Sequence, residues 1–333
     1  MTPIALVRPA TLADAPAISA VHCSNIAGWK IWEGDSARPA RYADLTPYQR
    51  WLNGGPWLDA AACQYHLKRL LNSGGWPLVA ELNDRVVAAA ELHLAVEPGP
   101  YGRNLNLSTL YVHRNHHGQG LGSALLQHAL ALAESHQCDT FTVAHAEAPG
   151  FYKRQGLKLA ERWTRFQIPL GRGRAPKYSI APLEDAPYDR VSGWAAPIGR
   201  YQNAHSDWER TRPGAVPDYE EWRHLRLERC WITVGRQRAA LIFEESPQRP
   251  GAANTFLFIQ PGSLSEAPRQ RSAVEGLTPG LFSAVRHFAS QFGFTHLHCF
   301  ARSDSKLPDA TATDYRQQLF MKRLADGQPE SHA

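Results

Sequence analysis

"RNHHGQGLGSALLQHALALAE", residues 114–134, is the stretch on which the fold turns. Gly118, Gly120 and Gly122 alternate, and the run passes directly into a segment whose apolar positions Leu121, Ala124, Leu125, Ala129 and Leu132 recur at helical spacing. The residues ahead of it, "LNLSTLYV", read as a strand. A strand, a glycine turn and a helix N-terminus make an anion site. First-turn amides have no intrahelical partner, and the macrodipole places about half a positive charge there. Without Cβ atoms a phosphate can approach successive amides, and the chain can take φ values closed to other residues. The bland alternative is a flexible turn, which leaves the strand before and the long helix after unexplained.

Two familiar phosphate devices do not fit. Counting a dinucleotide fingerprint from Gly118 places Ser123 where the third glycine belongs, and a hairpin rather than a βαβ unit precedes it. No Gly-Lys-Ser/Thr closes the run, so it is not a Walker loop. Upstream, "IALVR" reads as a strand, Thr11 and Asp14 have capping-box spacing before a helix, and Thr46-Pro47 opens another. "LDAAACQYHLKRLLNSGG" is helical, and two strands meet at Asn83-Asp84, a hairpin signal. Downstream come the strand "TFTVAH", a short helix "PGFYKRQG" and the long strand "LKLAERWTRFQIPL". The first half is an α/β unit of mixed strand order.

The glycine stretch resembles the acyl-CoA loop of the GNAT superfamily of N-acyltransferases, written V-x-x-x-x-[Q/R]-G-x-G-x-[G/A], over "VHRNHHGQGLGSALL" from Val112 to Leu126. His117 stands where that family has Gln or Arg. The family's second segment, A-x-x-F-Y-x-x-x-G-F, is similar to "APGFYKRQGL" at residues 148–157, and His145 takes the place of an Asn. The resemblance spans roughly residues 4–170. It implies a mixed, mostly antiparallel central sheet flanked by helices, an α/β (α+β) fold. It also implies acetyl-CoA as acyl donor, with the backbone of Leu110, Tyr111 and Val112 pairing with the pantetheine arm. His117, Gly118, Gln119, Gly120, Leu121, Gly122 and Ser123 would hold the pyrophosphate, with His145 and Phe151 alongside. Tyr152 would protonate the leaving thiolate, and the amine would lose its proton to Glu91 or to a water chain. The activity implied is transfer of an acyl group to a primary amine. The other reading is an acyl-CoA-binding or interaction protein that has lost the chemistry.

At 333 residues the chain suits two domains. "GRGRAPK", residues 171–177, breaks both periodicities and reads as a linker between residues 1–170 and 178–333. The second half repeats the order of the first: "EEWRHLRLERC" reads as helix, "CWITVGRQRAALIFEE" as a hairpin, "NTFLFIQ" as a strand, "LFSAVRHFASQFG" as a helix and "THLHCFA" as a strand. That is a diverged duplication with a period near 160 residues, two tandem units of which the second has "FIQPGSLSEAPRQRSAVEGLTPGLF" in place of a glycine ladder. The second half would serve as a degenerate unit, an acceptor-binding lid or a dimer surface.

Thirty-six Lys and Arg against thirty-one Asp and Glu give a net charge of +5, spread over both halves without a basic run, so nucleic acid is not an expected partner. A small-molecule or peptide amine is. Five scattered cysteines without a C-x-x-C pair suit reduced thiols and a cytoplasmic monomer or homodimer, and no segment suggests export or membrane insertion. His113, His116 and His117 lack acidic or thiol companions, so they read as loop residues and no metal is expected. Glu91 is either an acceptor-side base or a solvent-facing strand carboxylate. The tryptophans at 29, 32, 51, 57 and 76 are core residues or an aromatic wall, with core the more common use. Tyr315 echoes Tyr152 and reads as structural.

Overall fold

The structure is a computed structural model that describes residues 5–34, 36–170, 176–262 and 276–324. In the first half β1 (Leu6–Pro9) leads to a tight turn in which the Thr11 amide donates to the Asp14 carboxylate at 2.7 Å, and α1 (Ala15–Ser24) begins directly after it. Residues read as irregular form a hairpin, β2 (Trp29–Glu33) and β3 (Ser36–Ala40). α2 (Pro47–Trp51) is capped by Thr46, and α3 (Ala60–Asn72) by the Asp59 carboxylate. β4 (Trp76–Leu82) and β5 (Arg85–Glu97) meet at Asn83 and Asp84, both at positive φ as a two-residue type I′ turn demands. Then follow β6 (Gly102–Val112), α4 (Leu121–Ser135), β7 (Thr140–Val143), α5 (Pro149–Arg154) and β8 (Lys158–Pro169).

The second half contains β9 (Ser179–Pro182), β10 (Ala195–Ile198), α6 (Ala204–Arg210), β11 (Leu227–Val234), β12 (Gln237–Ser246), β13 (Arg249–Ile259), α7 (Pro279–Gln291), β14 (His296–Arg302) and β15 (Thr311–Arg323). The helix expected over "EEWRHLRLERC" is a correction: only Glu221–His224 turn, as 3-10 helix, and β11 starts at Leu227. Cys230, Trp231 and Ile232 are buried between two neighbouring strands, and that pairing overrides the helical propensity of the Glu and Arg residues before them. The stretch standing in place of the glycine ladder lies mostly outside the described residues.

One sheet runs through both halves in the order β1-β4-β5-β6-β7-β15-β8-β14-β13-β12-β11-β9, with β10 on β13. Among the described residues only β6 with β7 and β13 with β14 pair in parallel. Each half therefore contributes a run of mostly antiparallel strands to one sheet. The halves are not separable at residues 171–177. β15, from the second half, lies between β7 and β8, and β8, from the first, pairs with β14.

The cores follow the same exchange. Leu121, Leu125, Leu126, Ala129 and Ala133 of α4 pack on the sheet together with Phe320 of β15, while Phe166 and Ile168 of β8 pack with α7 in the second half. Ala124 and Leu132, expected inside, are only half-buried. A buried ion pair, Arg200 to Glu97, and hydrogen bonds from Asn203 to the His93 carbonyl and the Asn104 side chain fasten the second half to β5 and β6. Cys63, Cys138, Cys230 and Cys299 are buried free thiols and Cys23 is partly exposed. Among the described residues no helix is long and apolar enough to cross a membrane.

Candidate active site

β6 and β7 pair only from Asn104↔Thr140 to Asn106↔Thr142, then diverge. Beyond that point the β7-facing edge of β6 is unpaired to Val112, and a cavity of about 780 Å³ opens in the gap. A bulge sharpens the divergence: Glu91 faces Thr109 and Leu92 faces Leu107, so Ser108 is an extra residue in β6. Leu110, Tyr111 and Val112 line the cavity on one side, and His117, Gly118, Gly120, Leu121, Gly122 and Ser123 close one end.

The three glycines do different things. Gly118 and Gly120 sit at φ +76° and +83°, and a Cβ on either would meet no protein atom within 4 Å, so these two keep the left-handed turn and an open approach. Gly122 has ordinary φ and packs against Leu110, Phe151 and Val112, so its role is close contact between helix and strand. That amends the expectation that all three clear the way for a phosphate. Among the described residues the amides of 118–123 make no hydrogen bond. His117 Nε2 lies 2.8 Å from the Val112 carbonyl, which also accepts from Asn25 Nδ2 at 3.0 Å, so this histidine ties the loop to the strand. Gln119 turns its side chain outward to the Asn115 carbonyl. Ser123 Oγ accepts from Gln155.

Tyr152 and Phe151 come from α5 on the opposite wall. The Tyr152 hydroxyl has no protein partner among the described residues, and burial together with Glu147 and Tyr111 pushes its pKa up to about 12. It therefore stays protonated at neutral pH. His145 stacks between Tyr201 and Tyr315 and approaches Glu147 at 3.5 Å and the Tyr315 hydroxyl at 3.4 Å. Tyr315, read as structural, thus belongs to the rim of the site, because the strand exchange brings β15 beside β7.

A second cavity of about 420 Å³ shares Gly54, Trp57, Ser108, Thr109, Tyr201 and Gln202 with the first and continues it between the halves. Glu91 lines it, but as a buried rather than solvent-facing carboxylate, which corrects one of the two expectations for it. Its oxygens accept from Trp57 Nε1 at 2.6 Å and lie 3.0 and 3.1 Å from His66 Nε2. Burial pushes the carboxyl up, and the charge and hydrogen bonds of His66 and Trp57 outweigh burial and hold it below its ordinary pKa. Of the five tryptophans, Trp57 and Trp51 reach this cavity, where Trp51 meets Trp222 edge-on at 6.1 Å. Trp76 meets His136 and Trp29 meets Tyr42 with tilted rings, away from the cavity.

His22, His66, Glu147, Tyr201 and Gln202 are lining residues that sequence reasoning missed. His66 shares a helix face with Cys63, Leu67 and Leu70, and that face was a usable signal. Tyr201 and Gln202 carried none, since nothing local marks a loop that crosses from one half into the other.

The second half has the same divergence. β13 and β14 pair only from Ala252↔His296 to Asn254↔His298. There the gap is filled by the chain itself: β10 pairs with β13 at Leu257 and Ile259, and the Gly199 amide donates to the Phe300 carbonyl of β14 at 2.8 Å. Gly199 is required at this exit, because a Cβ would lie 2.5 Å from the Thr255 carbonyl oxygen. Among the described residues no cluster of three or more His, Cys, Asp or Glu side chains is arranged to hold a metal.

A split sheet with a glycine-capped helix at its opening defines the fold of acyltransferases of the GNAT kind, and the comparisons agree. Residues 40–157 match the acetyltransferase (GNAT) family model, and over that stretch the chain is similar to that family. A GCN5-related N-acetyltransferase from Anabaena variabilis superposes with a TM-score of 0.60 at 9% identity, covering 96% of this chain and 73% of that one. A probable N-acyltransferase from Enterococcus faecalis gives 0.56 at 11% identity over 96% and 72%. A GCN5-related N-acetyltransferase from Kribbella flavida gives 0.55 at 14% identity over 97% and 72%. At such identities they share the fold. No curated protein matches the chain in sequence.

Proposed function

We propose that the protein transfers an acetyl group from acetyl-CoA to the primary amine of a small molecule or peptide, by direct transfer with both substrates bound. The observation that carries this reading is one continuous passage. Unpartnered amides at 118–123, the unpaired edge of β6 and the free Tyr152 hydroxyl lie along the first cavity, and the second cavity meets it at Ser108 and Thr109. Amides at a helix N-terminus suit a diphosphate. The open β6 edge suits the amide groups of a pantetheine arm, which add to it as a strand would.

The chemistry asks little more of the residues. Holding a thioester and an amine in contact removes an entropic barrier that reaches about 7–11 kcal/mol in well-oriented cases. β6 amides near the bulge are positioned to donate to an oxyanion. Tyr152, protonated throughout the neutral range, donates to the departing sulfur, and the proton it gives is replaced from the ammonium nitrogen of the tetrahedral intermediate. Residues 199–210 of the second half wall the acceptor side. Two measurements test the proposal: calorimetric titration with CoA, and release of CoA thiol from acetyl-CoA against a panel of primary amines. Absence of both CoA binding and amine-dependent release rejects it.

A further inference from the structure

We propose that His66 is the general base that takes the proton from the acceptor ammonium, and that Glu91 is a positioning residue which orients His66 and does not itself meet the substrate. The inference rests on the acetyltransferase reading above.

The geometry is that of a carboxylate–imidazole dyad. Glu91, on β5, is 6% exposed, and its two oxygens are taken up by His66 Nε2 and Trp57 Nε1. With the Trp57 and His66 hydrogens bonded to it, this carboxylate is held below its ordinary pKa and is a poor proton acceptor at neutral pH. Its two contacts to Nε2 place the imidazole hydrogen on that nitrogen, which makes Nδ1 the acceptor. Among the described residues Nδ1 has no partner, and His66 lines the second cavity, where Ser108 and Thr109 join it to the first. Glu91 also borders the cavity, but its hydrogen bonds run to Trp57 and His66, and carboxylate, imidazole and cavity repeat the roles that a third group, a base and a substrate play in hydrolytic triads.

Other histidines nearby do not suit the task. His22 of α1 stacks on Trp57 at 5.1 Å, and burial takes its pKa down to about 4. His93 of β5 bonds Ser108 Oγ through Nδ1, and burial lowers it to about 3. Bases that weak hold a proton poorly at neutral pH. Around His66 the remaining titratable and charged groups include Cys63 and Arg69 on its own helix, with Tyr201, Glu209, Arg210 and Glu244 across the cavity. Glu209 is paired with Arg212, and Glu244 with Arg210, so Glu91 is the carboxylate that reaches the imidazole.

The proton balance closes. The acceptor enters as an ammonium and gives one proton to His66 Nδ1. The freed lone pair attacks the thioester carbon, forming C–N, and the tetrahedral intermediate then collapses with cleavage of C–S. A second proton leaves the nitrogen and, through Tyr152, ends on the CoA sulfur. The amide keeps the third, and His66 returns its proton to solvent.

The test uses the full chain, acetyl-CoA and the best acceptor among benzylamine, tryptamine, spermidine and lysine. Hydroxylamine, whose nitrogen is unprotonated at neutral pH, serves as an acceptor that needs no base. His66→Gln is expected to lower kcat/KM with the ammonium acceptor by about 10²–10⁴-fold, to leave CoA affinity unchanged and to lose far less rate with hydroxylamine. Glu91→Gln keeps an acceptor for the Nε2 hydrogen but removes the charge, so the acid limb of kcat/KM should move to lower pH. A wild type that neither binds CoA nor turns over overturns the acetyltransferase reading and the dyad with it. An active wild type whose His66→Gln variant keeps its rate and pH profile overturns the dyad alone. Should His66→Gln fail to fold, a Glu91→Gln profile that superimposes on wild type overturns it equally.

Discussion

Gly120→Ala separates the anion-binding role of the loop from its packing. Gly120 caps α4 at φ +83°, and a Cβ there meets no protein atom within 4 Å. Nothing in the protein crowds the methyl group. What alanine costs is the left-handed conformation, about 1–2 kcal/mol for an L-residue. If the loop holds its shape, the melting temperature falls by about 2–4 °C per kcal/mol for a chain of this size, and the methyl projects into the space a phosphate needs. If the loop instead relaxes to negative φ, the amides around it turn away. Loss of two charge-assisted hydrogen bonds at about 1.5–3 kcal/mol each is about 3–6 kcal/mol, so the Kd for CoA should rise by about 100-fold or more. Gly122→Ala is the control, because its φ is ordinary and its Cβ would sit 3.5–3.7 Å from Leu110, Phe151 and Val112. Its effect on CoA affinity should stay within about threefold. Calorimetric titration with CoA, and with pantetheine, which lacks the diphosphate, reads both. A folded Gly120→Ala protein with wild-type CoA affinity, or equal losses for CoA and pantetheine, refutes the assignment of these amides to a diphosphate.

Other outcomes follow from the same geometry. Tyr152→Phe should keep CoA affinity and lose about 10²–10⁴-fold in kcat in a thiol-release assay, and wild-type turnover excludes an acid role. Phe320 is fully buried in the core of the first half although it comes from β15. Phe320→Ala should therefore destabilise the protein by about 3–5 kcal/mol in denaturant unfolding, and a loss below about 1 kcal/mol contradicts the exchanged packing. Because β10 fills the second gap, titration should saturate at a single CoA per chain, and two equivalents of similar affinity argue against the plug.

The legible parts of this protein are local. The glycine loop, the Asn83-Asp84 turn, the cap at Thr46 and most of the order of elements follow from propensity, capping and period within short windows. Tyr152 was legible for a related reason, since a short helix at a set distance from the loop needs only local spacing. The acceptor side was not. Glu91 and His66 lie twenty-five residues apart and meet across a helix–sheet contact, and Tyr201 stands far beyond both. Periodicity registers that a side chain faces inward, not which partner waits there. The helix expected at 220–230 failed in the same way, because edge pairing with β9 and β12 decided the matter.

Sequence alone determined most of the order of strands and helices, the glycine turn that opens a long helix, and the aromatic hydroxyl on the short helix after it. These are properties of backbone amides and short-range spacing, present wherever the segment folds. Tertiary structure alone decided that the halves exchange their last strands, that the second gap is closed by the chain's own β10, and that the second half lines the second cavity. Strand partners far apart in the chain are chosen by which edges can bury apolar faces and satisfy their amides together, a choice that depends on the whole sheet and is written in no single stretch.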